Sequence, residues 1–160
     1  MTRFGRLVVA IFRTADDIIN QKIFEKSIDL ILVTDRQGIF YRVSPSSMAI
    51  LGYDPSEMVG RSGLQFVHPD DLDNTRQMMR EQRLGNVTRH FDCRYLHRSG
   101  SIVLLTWTGV WSPEEEQHFF IGRDITAARI AEQYQTIELE LENIRKSIVN
   151  LEKKVATDED

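Results

Sequence analysis

Asp29-Leu30-Ile31-Leu32-Val33-Thr34-Asp35-Arg36-Gln37-Gly38-Ile39-Phe40-Tyr41-Arg42-Val43 is the stretch from which the fold is read. Ile28 to Thr34 is an apolar run rich in strand formers. Asp35-Arg36-Gln37-Gly38 carries turn chemistry with glycine in the last position, and Ile39 to Val43 resumes a strand-like run, so the stretch predicts a hairpin. Downstream, Ser44-Pro45 offers a capping hydroxyl before a proline at the first helical position, for a short helix over Met48 and Leu51 that stops at Gly52. Asp54-Pro55-Ser56-Glu57 repeats the device with an acid three residues after the cap, and Gly60 closes it. His68-Pro69-Asp70-Asp71 predicts a third helix start, its two carboxylates suited to a helix N-terminus, and that helix runs through Leu72, Thr75, Met79 and Gln82 to Gly85-Asn86.

After Asn86 the period changes from helical to alternating. Phe91, Cys93 and Tyr95 alternate with Asp92 and Arg94; turns at Arg98-Ser99-Gly100-Ser101 and Ser112-Pro113-Glu114-Glu115-Glu116 then set off two more runs, Ile102 to Trp111 and His118 to Ile125. Two early strands, short helices and three later strands predict an α+β domain with a five-stranded antiparallel sheet, spanning residues 28–126. The connections are too short for βαβ crossovers.

Amphipathic segments flank this domain. Phe4, Val8, Ile11, Ala15 and Ile18 step by four and three, predicting one amphipathic helix within residues 1–27; packing on its own domain and pairing with a second chain are both open. Ile130, Tyr134, Ile137, Leu141, Ile144, Ile148, Leu151 and Val155 alternate steps of four and three, the mark of a coiled-coil helix over residues 127–156. With Ile137, Ile144 and Leu151 at d positions, Glu140 at g and Arg145 at the following e lean toward parallel pairing, which the apolar stripe alone does not fix. Residues 157–160 read as a frayed acidic tail.

The chain's 160 residues, 41% hydrophobic and 28% charged, suffice for one compact domain with extensions. A net charge of −4 lacks the dense basic face that nucleic acid requires, so no nucleic-acid partner is expected. The apolar stretch Leu7 to Phe12 is far short of the ~20 residues a membrane span needs, and no secretory cleavage site follows it. A lone cysteine, Cys93, excludes an intramolecular disulfide. A cytoplasmic protein is expected.

The ordered fragments Asp29–Gly38 (DLILVTDRQG), Val43-Ser44-Pro45-Ser46, Ile50-Leu51-Gly52-Tyr53, Glu57-Met58-Val59-Gly60, His68-Pro69-Asp70-Asp71, RYLHRSGS from Arg94 to Ser101, and Gly122-Arg123-Asp124-Ile125-Thr126 together resemble the PAS domain family. The resemblance covers most of residues 23–126. It implies a five-stranded sheet covered by short helices, and a sensory or dimerisation module rather than an enzyme. It also implies that Asp124, Ile125 and Thr126 relay a signal from the last strand into the heptad helix. About 30 residues follow, too few for a kinase, cyclase or DNA-binding output domain, so the output is expected from a partner protein or from a longer chain of which this is a piece.

Chemistry along the chain is sparse. His68, His90, His97 and His118 share no metal-ligand spacing, and all four read as structural or surface residues, so no metal is expected. Haem would need a histidine on or near the long helix, which has none; Met78 and Met79 there read as core filling. The light-sensing flavin branch of the family needs a cysteine within an asparagine-cysteine-arginine motif, and residues 60–67 contain none; a covalent flavin adduct is therefore not expected, while noncovalent flavin stays open. No nucleophile elbow, phosphate loop or HExxH helix is present. Asp70 and Asp71 read as caps rather than a catalytic dyad. The cofactor is left unnamed, and the core is read equally as packed full or as holding a small apolar ligand. Candidates to line a ligand pocket are Leu32, Tyr41, Val43, Met48, Phe66, Met79, Cys93, Trp107, Phe120 and Gly122, with Tyr41 or Thr108 as polar fixing points.

These observations predict a homodimeric sensor that pairs through Phe4, Val8, Ile11, Ile18 and the heptad residues and passes a core change into the coil. A constitutive scaffold without ligand is the alternative, and a haem-binding gas sensor a third.

Overall fold

The computed structural model describes residues 14–158, with side chains described through Lys154. Two compact units part between Asp124 and Ile125. In chain order the first holds α1 (Ala15–Lys26), β1 (Leu30–Asp35), β2 (Phe40–Val43), α2 (Ser47–Leu51), α3 (Pro55–Met58), short 3-10 turns at Gly63–Gln65 and Pro69–Asp71, α4 (Leu72–Arg83), β3 (Thr88–Leu96), β4 (Ile102–Ser112) and β5 (Gln117–Asp124). The second is the single helix α5 (Thr126–Asp158).

The sheet is five-stranded and antiparallel, in the order β2-β1-β5-β4-β3. The turn at Asp35–Gly38 works through the aspartate: Asp35 Oδ1 accepts from the amides of Gln37 and Ile39, both at 2.9 Å, and Gly38 takes φ +84°. The inner sheet face and the helices enclose a core that includes Leu30, Leu32, Phe40, Leu51, Met58, Phe66, Leu105, Trp107 and Phe120. Residues 66–68 run beside the otherwise free edge of β3, where His68 N–H donates to the Arg94 carbonyl and Leu96 N–H to the Phe66 carbonyl, each at 2.8 Å.

Several local expectations change. Thr14 is extended and forms a capping box with Asp17, so the predicted helix over residues 1–27 is not continuous through Thr14. Ser44 does not cap α2. Its hydroxyl accepts from Ile31 N–H at 2.8 Å and ties the loop to β1, and α2 begins three residues later than Ser44. Asp54 and Glu57 do form the expected capping box on α3. Asp71 opens α4 without a side-chain cap; its carboxylate grips Arg94 on β3 instead, with Nη2 to Oδ1 at 2.6 Å, Nε to Oδ2 at 3.1 Å and the Arg94 backbone N–H to Oδ2 at 2.8 Å. His68 supplies the local cap, its Nδ1 accepting from Asp70 N–H.

Candidate functional site

The site is built where β4 and β5 face α4. Across these strands Trp107 pairs with Gly122 and Gly109 with Phe120, so each large ring lies over a glycine. A Cβ on Gly122 would come within 2.5 Å of Trp107 Cζ3, and one on Gly109 within 2.4 Å of Phe120 Cδ1. Only glycine permits either approach. The edge of the indole formed by Cε3, Cζ3 and Cη2 thus rests on β5, and the N–H edge points away from it.

Beside the indole lies a cavity of about 30 Å³, lined chiefly by Leu32, Phe40, Met79, Tyr95, Trp107 and Phe120. Buried Thr34, Gly38, Val67 and Thr75 and half-buried Gly63, Leu64, Met78 and Phe91 complete the lining. No charged side chain lines it. A single water takes about 10–15 Å³ of such space, so the core is nearly full. Trp107 is 3% exposed, yet its Nε1 has no hydrogen-bond partner, which sets it apart from the other buried side-chain polar atoms among the described residues.

Of the pocket candidates, Leu32, Met79, Trp107 and Phe120 line this cavity. Val43, Phe66 and Cys93 are buried in the surrounding core, outside the lining. Tyr41 is 63% exposed because a bulge between Val33 and Thr34 slips the pairing past it, turning Phe40 and Val43 inward in its place. Met48 is half exposed, since α2 buries Ser47 and Leu51, four residues apart, and leaves Met48 off that face. Gly122 is the seat of the indole rather than part of the lining. Thr108, taken as a polar fixing point, is exposed on the opposite sheet face.

Sequence reasoning missed a buried polar network. His118 is fully buried on β5, not a surface residue. Gln82 Nε2 donates to Thr88 Oγ1 at 2.7 Å, leaving its Oε1 to accept from His118 Nδ1 at 2.7 Å; the remaining ring nitrogen, Nε2, faces Arg83 Nη1 at 3.4 Å. This pattern assigns a neutral imidazole with its proton on Nδ1. Burial first, and the Arg83 charge second, pull the imidazole down to about 4, while Asp35 opposes them. The ring stacks on Phe120, a cavity wall, at a centroid distance of 5.6 Å. The signal available in the sequence was that His118 falls two residues before Phe120 and so on the same strand face.

Cys93 is buried with its thiol pushed up to about 11, chiefly by desolvation, and is an inert thiol at neutral pH. Arg94 holds the Asp71 carboxyl below the usual carboxylate range. Arg123, adjoining the relay residues, makes a two-pronged pair with Asp29 at 3.2 and 3.0 Å, joining the end of β5 to the start of β1. Asp124 ends β5, Ile125 links, and Thr126 opens α5.

Of the pairing residues, Ile18 on α1 and Ile130, Tyr134, Ile137, Leu141, Ile144, Ile148 and Leu151 on α5 are exposed, from 44% at Ile18 to 67% at Tyr134. Phe4, Val8 and Ile11 lie outside the described residues, as does the side chain of Val155. Among the described residues no cluster of three or more His, Cys, Asp or Glu has metal-site geometry, and no helix is long and apolar enough to cross a membrane.

A family model for the PAS fold matches residues 40–122, more than half of the chain, and the chain belongs to this family. It is similar to the PAS domain of an HTR-like protein from Haloarcula marismortui, with 27% identity and a TM-score of 0.60 over 77% of this chain and 98% of that one. It shares the fold of the Cronobacter turicensis RpfR quorum-sensing receptor PAS domain in complex with C12:0, at 21% identity and a TM-score of 0.56 over 64% of this chain and 98% of the other. The Period circadian protein of Drosophila virilis is 29% identical over 93 residues, which span 53% of this chain and 9% of that protein.

Proposed function

We propose that this PAS domain is the input half of a cytoplasmic signal-transduction protein, acting by binding and relay rather than catalysis. Two chains pair through their flanking helices. A change in core packing beside β5 passes through Asp124, Ile125 and Thr126 into α5, and from there to an output domain or partner protein.

The observation that carries this reading is the seam on α5. The helix follows β5 after one residue, runs for 33 residues, and leaves apolar side chains exposed at alternating spacings of four and three from Ile130 to Leu151. Such a stripe is removed from water by a second helix carrying the same stripe, and the 3.5-residue period is that of a left-handed coiled coil. Coupling follows if one arrangement of the paired helices fits the altered core better than the other, since an input indifferent to the two shifts nothing.

Light scattering of the full chain is the test. A dimer is expected for the parent, and a monomer with unchanged near-ultraviolet circular dichroism for the double variant Ile144→Asp/Ile148→Asp. A dimer that survives both substitutions would remove the coil from the mechanism. The small cavity favours a second reading, a ligand-free scaffold that joins partners constitutively. Native mass spectrometry separates the two: a small molecule released on denaturation supports the sensor, and a bare dimer supports the scaffold.

A further inference from the structure

The cavity beside Trp107 has a chemistry that narrows what an input could be. Trp107, one of its lining residues, carries the one buried side-chain polar atom without a hydrogen-bond partner among the described residues, the indole N–H, on a side chain only 3% exposed. The hydroxyls of Thr34 and Thr75 in the lining already donate to the carbonyls of Asp35 and Asp71, at 3.0 and 2.8 Å. No cation reaches the lining to receive an anionic head. A carboxylate placed here would lose its hydration with no counter-charge, whereas a neutral oxygen would satisfy the indole and cost little.

Space comes from the methionines. Met79 lines the cavity, its Cε 3.2 Å from where a Cβ on Gly38 would stand, and half-buried Met78 lines it together with Leu64 and Phe91. Thioether side chains are unbranched and repack at small cost. Their displacement would enlarge the cavity beside the indole.

We infer that this cavity takes an uncharged, mostly apolar molecule bearing one hydrogen-bond-accepting oxygen, a medium-chain ketone, aldehyde or ester, whose oxygen accepts from Trp107 Nε1 while its chain displaces Met78 and Met79. The inference rests on the reading of this domain as an input module and names the chemical class of its input. The selecting features are the indole donor and the absence of a cation.

The test uses the full chain labelled with ¹⁵N on its two indoles and with ¹³C on its methionine methyls, titrated separately with 2-octanone and octanoate, with buffer alone as the blank. Trp107→Phe assigns the indole signals. With 2-octanone the Trp107 N–H signal should move downfield in step with the Met78 and Met79 methyls, Trp111 should stay, and octanoate at neutral pH should do neither. Trp107→Phe, which keeps an apolar ring and deletes the donor, should weaken 2-octanone binding about 2- to 10-fold, the worth of one neutral hydrogen bond. If this variant fails to fold, Trp111→Phe assigns the indole signals and the titrations of the parent chain decide. Octanoate binding as tightly as the ketone would overturn the neutral class. Methionine shifts without an indole shift would overturn the role of Trp107. An unmoved spectrum with 2-octanone would overturn the site, leaving only buried water to take the N–H. Light scattering on the same samples reports pairing separately, so loss of the ligand proposal and loss of the dimeric relay are told apart.

Discussion

Trp107 and Phe120 are accommodated because the residues opposite them, Gly122 and Gly109, have no side chain. Gly122→Ala forces a methyl to within 2.5 Å of the indole, so either the ring or the strand must shift. Overpacking of this kind costs about 1–3 kcal/mol. A urea melt should show that loss, and displacement of the ring should appear as altered Trp107 fluorescence. His118 is the second residue whose environment makes a prediction. Its imidazole is held near 4 in the fold against an ordinary 6.5, so the unfolded chain binds the extra proton first. Its contribution to stability is therefore fully present above pH 6.5 and is lost as the pH falls toward 4. By about pH 5 the loss should reach roughly 2 kcal/mol. Denaturant melts compared at neutral and mildly acidic pH measure it; His118→Gln, which cannot take the proton, should flatten that slope.

At the scale of elements, α4 is attached to the sheet at both ends by side chains rather than by capping alone. Asp71 anchors its start to Arg94 on β3, and Gln82 anchors its last turn to Thr88 and His118. The Asp71 contact carries a backbone obligation as well, because its Oδ2 receives the Arg94 N–H. Asp71→Ala should speed amide exchange at Arg94 and lower the melting temperature, while amides in β1 keep their protection. Equal exchange at Arg94 in both proteins would show that water replaces the carboxylate without cost. The pair is partly open to solvent on its Arg94 side, so a small effect on global stability is expected beside the large local one.

At the scale of the molecule, the two compact units draw stability from different sources. The PAS unit has its own buried core, whereas α5 has no buried residue among those described and an apolar seam on its surface. Most of a helix's stability in a protein comes from packing its apolar face, and pairing with a second chain supplies that packing for α5. Helical ellipticity of α5 should therefore melt with a midpoint that rises with chain concentration. The near-ultraviolet signal of the PAS core should melt independently of concentration. A concentration-independent melt of both would mean that α5 is stable without a second chain. The Arg123–Asp29 pair lies where such coupling would start, since it fastens the end of β5 one residue before Asp124.

What the sequence determined by itself is local. The period of two in β3, β4 and β5, the turn at Asp35–Gly38, the Asp54–Glu57 capping box and the 3.5-residue stripe of α5 each depend on residues within a few positions of one another, so the order of elements and the five-stranded sheet were legible. Tertiary structure decided which inward residue meets which. The bulge that exposes Tyr41 requires β1 against β2, the diversion of Asp71 from its own helix to Arg94 spans 23 positions, and the burial of His118 against Gln82 spans 36. Alternation assigned Gly122 to the inner face, but not its use as the bed of an indole that pairs with it across two strands. Such partners are chosen by register and by the close packing of one shared interior, where a polar group must find a partner or stay unsatisfied, and that choice exists only once distant segments have been brought together.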